Sequence, residues 1–129
     1  MRKTLVDLKL VHAVAMDVKA PLDARYARAA GRPVDLAPLR RTIRLLVESG
    51  IEHELRCTLV PGLINPDDIT AIGETVKGAQ AVALQAYVPD RARVKGFGGG
   101  KSYTQSEVDA MAEILRRSVN EVRIRGSFA

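Results

Sequence analysis

The 129-residue sequence predicts an α/β domain built on a parallel sheet. Three observations predict it. Short stretches in which apolar and polar residues alternate recur four times along the chain. Between successive stretches lie segments whose apolar residues fall at helical spacing. Helix-capping residues stand at the ends of those segments. Strands that alternate with amphipathic helices pair in parallel through right-handed crossovers.

Residues Arg2 to His12, with Leu5, Val6 and Leu8 at helical spacing, read as the last turns of a helix feeding the first strand, Ala13 to Lys19. Side chains at i and i+2 of a strand share a face. Val14, Met16 and Val18 therefore point one way, and Ala13, Ala15, Asp17 and Lys19 the other. Pro21 stops the strand, and an Ala- and Arg-rich connection follows with a helical turn over Ala24 to Ala30, broken by Gly31-Arg32-Pro33. Asp35 is placed to cap a helix that runs to Ser49. Its apolar stripe is Leu36, Leu39, Ile43, Leu46 and Val47, with Gly50 as the stop. Arg40, Arg41 and Arg44 lie off that stripe and read as a solvated face.

His53 to Val60 is the second strand, with Leu55, Cys57 and Leu59 on one side and Glu54, Arg56 and Thr58 on the other. Pro61-Gly62 ends it. Asn65 caps the next helix, Pro66 takes its first position, and Asp67 and Asp68 sit in the first turn, where carboxylates favour the positive helix end. Ile69, Ile72 and Val76 form its buried stripe, and Gly78 closes it. Ala81 to Tyr87 is the third strand, with Val82 and Leu84 opposed to Ala83, Gln85 and Tyr87. After a basic and then glycine-rich loop, Pro89 to Ser102, the pair Thr104 and Glu107 forms a capping box. The helix it opens carries Val108, Met111, Ile114 or Leu115, and Val119. Glu121 to Arg125 is the last strand.

One domain of this length can bury a core. The net charge of +5 favours anionic ligands, but it is spread along the chain and aromatic residues for base stacking are scarce, which disfavours nucleic acid as a partner. Cys57 is the sole cysteine, so the chain makes no internal disulfide and no Cys-rich metal site. His12 and His53 stand far from any clustered carboxylate and read as structural. No stretch approaches the roughly 18 apolar residues of a membrane span and no signal-peptide pattern opens the chain, which makes the cytoplasm the expected compartment.

Parallel strands buried on both faces read as near-continuous apolar runs. These do not. Three successive strands present Asp17 and Lys19, Arg56 and Thr58, then Gln85 and Tyr87 on the side away from their aliphatic residues, with small Ala13, Ala15 and Ala83 nearer the strand starts. Polar groups at the carboxyl ends of parallel strands describe the floor of a ligand cavity. The bland alternative is a set of ion pairs at the rim of the sheet. As a site, the group suits a zwitterionic or anionic small molecule, with Arg56 able to hold a carboxylate through two nitrogens.

The succession AMDVKAPLD, then SGI and ELRCTLVPGL, then PDDI and GETVKGA, then ALQAYVPD resembles the carboxyl-terminal half of the radical S-adenosylmethionine activases. Among them it is most similar to the activating proteins of anaerobic ribonucleoside-triphosphate reductase, in the branch that includes pyruvate formate-lyase activating enzyme. The resemblance implies half of a (βα)6 partial TIM-type barrel lacking the first three strands: strands four to six, a further helix and a final strand, in one domain over residues 1–129. It also implies an S-adenosylmethionine pocket in which Asp17, Lys19 and Arg56 approach the amino-acid end, Asp17 doubling as a ligand of a monovalent cation, with Thr58 and Gln85 as secondary contacts. In an intact relative, reductive cleavage would give a 5′-deoxyadenosyl radical that takes hydrogen from a glycine of a partner glycyl radical enzyme.

The sequence departs from that pattern in one decisive respect. The three cysteines of a C-x-x-x-C-x-x-C loop that would hold a [4Fe-4S] cluster are absent from these residues, as is the glycine-rich segment that contacts the ligand's amino group. The expectation is a truncated or split activase that keeps part of the pocket and is inactive alone. A second reading is a non-catalytic half-barrel that pairs with an amino-terminal half or with its own copy, because half a barrel leaves an edge strand unpaired. A third is an unrelated small α/β enzyme using Lys19 or Asp17 as acid or base. Gly96 to Ser102 is not a P-loop, since Lys95 stands where the first glycine is required; it reads as a flexible loop, whose functional version would be a mobile cover or a docking surface with Arg91, Arg93 and Lys95 as charged contacts.

Overall fold

The computed structural model describes residues 13–87 and 103–128. Four strands, β1 (Ala13–Asp17), β2 (Glu52–Leu59), β3 (Ala81–Ala86) and β4 (Glu121–Arg125), form one sheet in the order β1-β2-β3-β4, every neighbouring pair parallel. Four helices connect them: α1 (Ala24–Ala30), α2 (Ala37–Ser49), α3 (Pro66–Thr75) and α4 (Gln105–Arg116). A sequential order means that each crossover steps the same way along the sheet. With constant handedness, all helices then fall on one face.

The core confirms that arrangement. Met16, Leu55, Cys57, Leu59, Val82 and Leu84 meet Ile43 and Leu46 of α2, Ile69 and Ile72 of α3, and Val108, Met111 and Leu115 of α4 in one apolar cluster. Each fully buried aliphatic side chain there is worth about 1.5–3 kcal/mol. The other face of the sheet carries no helix among the described residues. This is the half-open α/β layer expected of part of a barrel.

Local chemistry sets the element ends. Asp23 caps α1, accepting from Arg25 N at 2.9 Å, and Gly31 closes it in the left-handed region at φ 75°. Asn65 and Asp68 form a reciprocal capping box on α3 at 3.0 and 2.9 Å, and Thr104 with Glu107 does the same on α4 at 3.1 and 2.8 Å. Five expected boundaries move. The first strand ends at Asp17, although the Val18 amide still donates to Arg56 O at 2.8 Å. Glu52 to Leu59 replaces His53 to Val60, and β3 stops at Ala86. Leu36, and not Asp35, is the cap residue of α2, while the Asp35 carboxylate reaches one place further to accept from Ala37 N at 3.1 Å. α3 ends at Thr75 with Val76 as its C-cap, ahead of Gly78. The expected helix over Arg2 to His12 and the loop from Pro89 to Ser102, with the glycine-rich stretch, lie outside the described residues.

Two polar side chains, one buried and one half-buried, tie the layers. The His53 ring is 3% exposed; Nδ1 faces Ile51 O at 2.8 Å and Nε2 lies 3.1 Å from the Gln80 amide, so the neutral ring donates at Nδ1 and accepts at Nε2. His53 is thus inside β2 and structural. The Tyr103 hydroxyl lies 3.1 Å from Val60 O, also contacts Ile64 O, and accepts from Ile64 N at 3.2 Å, which pins the turn after β2 to the start of α4.

Candidate functional site

Strand register arranges the helix-free face in rows. Ala15 of β1 pairs with Glu54, Asp17 pairs with Arg56, Arg56 with Ala83, and Ala83 with Arg123. One step further toward the carboxyl ends, Thr58 pairs with Gln85 and Gln85 with Arg125. Period-two alternation puts all these side chains on the same face. A carboxylate row, Glu54 and Glu121, therefore lies one step below an arginine row, Arg56 and Arg123.

Glu54 is the centre of this face. Its Oε1 accepts from Arg56 Nε at 2.7 Å and also from Arg125 Nη1; its Oε2 accepts from Arg123 Nη1 and Arg125 Nη2, both at 2.6 Å. Glu54 is 7% exposed. Arginines of β4 reach it only by crossing β3, and the small Ala81 and Ala83 leave room for them. Both alanines are buried although no helix among the described residues covers them on this face. The hydrogen bond from Arg125, with those from Arg56 and Arg123, outweighs burial and holds the Glu54 carboxyl down to about 2. Glu121, which accepts from Arg123 Nε at 2.7 Å, is lowered by the same arginine.

The predicted residues divide. Arg56 belongs to the cluster. Asp17 and Lys19 are exposed at the carboxyl end of β1 and make no salt bridge among the described residues. Thr58 is exposed and Gln85 half-buried on the neighbouring strands. The rim ion-pair reading holds for Arg56 and not for the other two charges. A concavity of about 510 Å³ lies toward the amino ends instead, lined by Ala13, Ala15, Glu54, Arg56, Glu121 and Arg123 among others. Polar chemistry thus covers the whole face and is not confined to the carboxyl end.

Arg56 differs from its neighbours in what it leaves open. Only its Nε is taken, by Glu54, and among the described residues no group occupies its two terminal nitrogens. Arg125 spends both of its own on Glu54, and Arg123 divides its donors between Glu54 and Glu121. The two terminal nitrogens of Arg56 form an end-on edge, on the residue that pairs in register with Asp17.

Other features do not add chemistry. Cys57 is 1% exposed on the helix side, and burial, with the charges of Asp68 and Asp17, pushes its thiol up to about 12. Such a thiol is neither ligand nor nucleophile. No group of three His, Cys, Asp or Glu residues among those described could hold a metal ion. A larger groove of about 850 Å³ on the helix side is lined by Arg40, Arg41, Arg44 and Lys77. There Arg40 caps the Leu22 carbonyl and Arg44 pairs with Glu48 on the outer surface of α2, so it is a solvated helix face. No helix among the described residues is long and apolar enough to cross a membrane.

The fold and face define a parallel α/β layer with one apolar, helix-covered side and one side of paired charges. The chain is similar to a proposed glycyl-radical enzyme activating enzyme of Methanocaldococcus jannaschii, with 26% identity over 125 residues, covering 94% of this chain. It spans about half the length of that relative, 52%. No protein-family model matches the chain, and no solved structure matches it.

Proposed function

We propose that this chain is the carboxyl-terminal half of a glycyl-radical enzyme activase of the radical S-adenosylmethionine kind, and that the carboxyl end of its polar face supplies one wall of the S-adenosylmethionine site. The observation that carries the reading is Arg56 itself: no described residue occupies its two terminal nitrogens, and it pairs in register with Asp17, the last residue of β1. Arg56 takes the ligand's carboxylate through two charge-assisted hydrogen bonds. Asp17 balances its ammonium group or a monovalent cation, Lys19 adds positive charge for the carboxylate, and Thr58 and Gln85 supply neutral contacts on the next two strands. The similarity to an activating enzyme over half its length supports the assignment to this class. An anaerobic ribonucleoside-triphosphate reductase is the proposed partner enzyme.

The iron-sulfur cluster of such enzymes does not fit these residues. The only thiol is buried, neutral and on the wrong side of the sheet. When bound, S-adenosylmethionine supplies the carbon centre from which radical chemistry starts; what these residues do is bind and orient it. A cluster would be held by residues other than these.

Titrating S-adenosylmethionine into the ¹⁵N-labelled chain tests this. Amide shifts are expected at Val18 to Ala20, Arg56 to Val60 and Gln85, with α2 unaffected. Shifts confined to the basic face of α2, or none at millimolar ligand, would refute the site.

One observation favours a second reading, a non-catalytic module that pairs with another chain. Among the described residues β1 hydrogen-bonds on one side only, and Ala13, Ala15 and Asp17 of its polar face are exposed. Sedimentation equilibrium separates the readings. A dimer that does not respond to S-adenosylmethionine supports the module, while a monomer that binds the ligand supports the half-site.

A further inference from the structure

We infer that Glu54 is a positioning residue: by taking Arg56 Nε it turns the Arg56 guanidinium so that only the end-on pair of nitrogens is offered to a carboxylate-bearing ligand. This deepens the proposed site and rests on that reading.

The geometry makes the case in three steps. A guanidinium can hold a carboxylate side-on, through Nε and one terminal nitrogen, or end-on, through both terminal nitrogens. Glu54 closes the side-on edge with a 2.7 Å hydrogen bond, which leaves the end-on edge. Glu54 itself cannot swing to follow a ligand, because Arg123 at 2.6 Å and both terminal nitrogens of Arg125 hold its two oxygens from across β3.

Register fixes the side from which the anchor reaches. Glu54 lies two residues before Arg56 on the same face of β2, so it takes Nε from the amino-end side of the row that Arg56 shares with Asp17. Arg123 and Arg125 also act here: they pull the carboxylate charge away from Arg56, so that Arg56 keeps positive charge for a ligand and is not neutralised by its own anchor. A lone Glu–Arg pair on an exposed strand would do the reverse. A lysine at position 56 would lose the arrangement, having one point charge and no second edge.

The first test needs no ligand. In the ¹⁵N-labelled chain the Arg56 Nε–H signal, assigned by its loss in Arg56→Lys, is expected to be resolved and slow to exchange with water, and in Glu54→Gln to exchange at least tenfold faster. A wild-type Arg56 signal that averages with those of the exposed arginines overturns the inference, and that measurement stands even where Glu54→Gln fails to fold. The second test compares S-adenosylmethionine with its decarboxylated analogue. Wild type is expected to prefer the carboxylate form at least tenfold, and Glu54→Gln to lose most of that preference while binding the analogue as wild type does. An unchanged preference in a folded Glu54→Gln chain overturns the positioning role alone. Failure of wild type to bind either ligand overturns the site itself and this inference with it.

Discussion

Arg125, on the far edge of the sheet, crosses β3 and holds both oxygens of Glu54 on β2, with Nη2 to Oε2 at 2.6 Å. Side chains two strands apart are about 10 Å from one another at their roots, so only a long residue passing over small ones makes such a pair. Arginine at one end and alanine in the middle meet that need. The contact joins strands that share no backbone hydrogen bond.

Removal of Glu54 should therefore loosen the β4 edge. Breaking a buried ion pair costs about 3–5 kcal/mol where the orphaned charge stays dry. The three arginines are each about 40% exposed and rehydrate, so Glu54→Ala is expected to cost less, about 2 kcal/mol. Urea unfolding of the two proteins checks it, and amide exchange should rise in β4 before β2.

The same carboxylate gives the protein an acid limit. A carboxyl held at about 2 in the folded chain, against its ordinary value of 4.5, stabilises fully above pH 4.5, and that contribution drains away as the pH falls toward 2. Asp23, lowered to about 2 by Arg25, and Glu121, lowered by Arg123, act in the same direction. The Glu54 share is isolated by difference: between pH 5 and pH 2 wild type should lose stability more steeply than Glu54→Gln. Parallel curves would show that the cluster does not hold in solution.

Ala83 is completely buried between Arg56 and Arg123 in register. Ala83→Leu places a branched side chain in the lane the arginines use, and overpacking of this kind costs about 1–3 kcal/mol. Thermal melting should show the loss, and weakened ligand binding should accompany it. Ala15→Leu, at an exposed place on β1, should cost far less.

Gly126 follows β4 at φ 92°, and a Cβ there would lie 2.5 Å from that of Ala86. Gly126→Ala combines backbone strain with a collision and should destabilise by more than Gly62→Ala, where φ is 83° but nothing lies within 4 Å. A comparison of their melting temperatures decides the point.

Much of this fold is legible in the sequence because its punctuation is local. Asp23 and Gly31 bracket α1, and Asn65-Pro66 and Thr104 open the next helices where the capping chemistry says they should. Period-two alternation also reveals the polar face, with Asp17, Arg56 and Gln85 on it. The cluster around Glu54 is less legible. It depends on which residue of β4 lies opposite which residue of β3, and on Ala81 and Ala83 being small, facts that pairing sets and no single strand displays. A signal existed: in Glu121 to Arg125 the charged Glu121, Arg123 and Arg125 alternate with Val122 and Ile124, so the fourth strand extends the polar face of the other three. Tyr103, just before the capping box, carries no pattern that announces its hold on the turn after β2.

The central claim is that Arg56 holds the carboxylate of S-adenosylmethionine, and isothermal titration of wild type and Arg56→Ala with that ligand tests it most directly. A charge-assisted hydrogen-bonded contact is worth about 1.5–3 kcal/mol, so the variant should bind at least tenfold more weakly, with a melting temperature lowered only modestly because Arg123 and Arg125 still hold Glu54. Equal affinities in the two proteins, or no heat from wild type at millimolar ligand, would contradict the account.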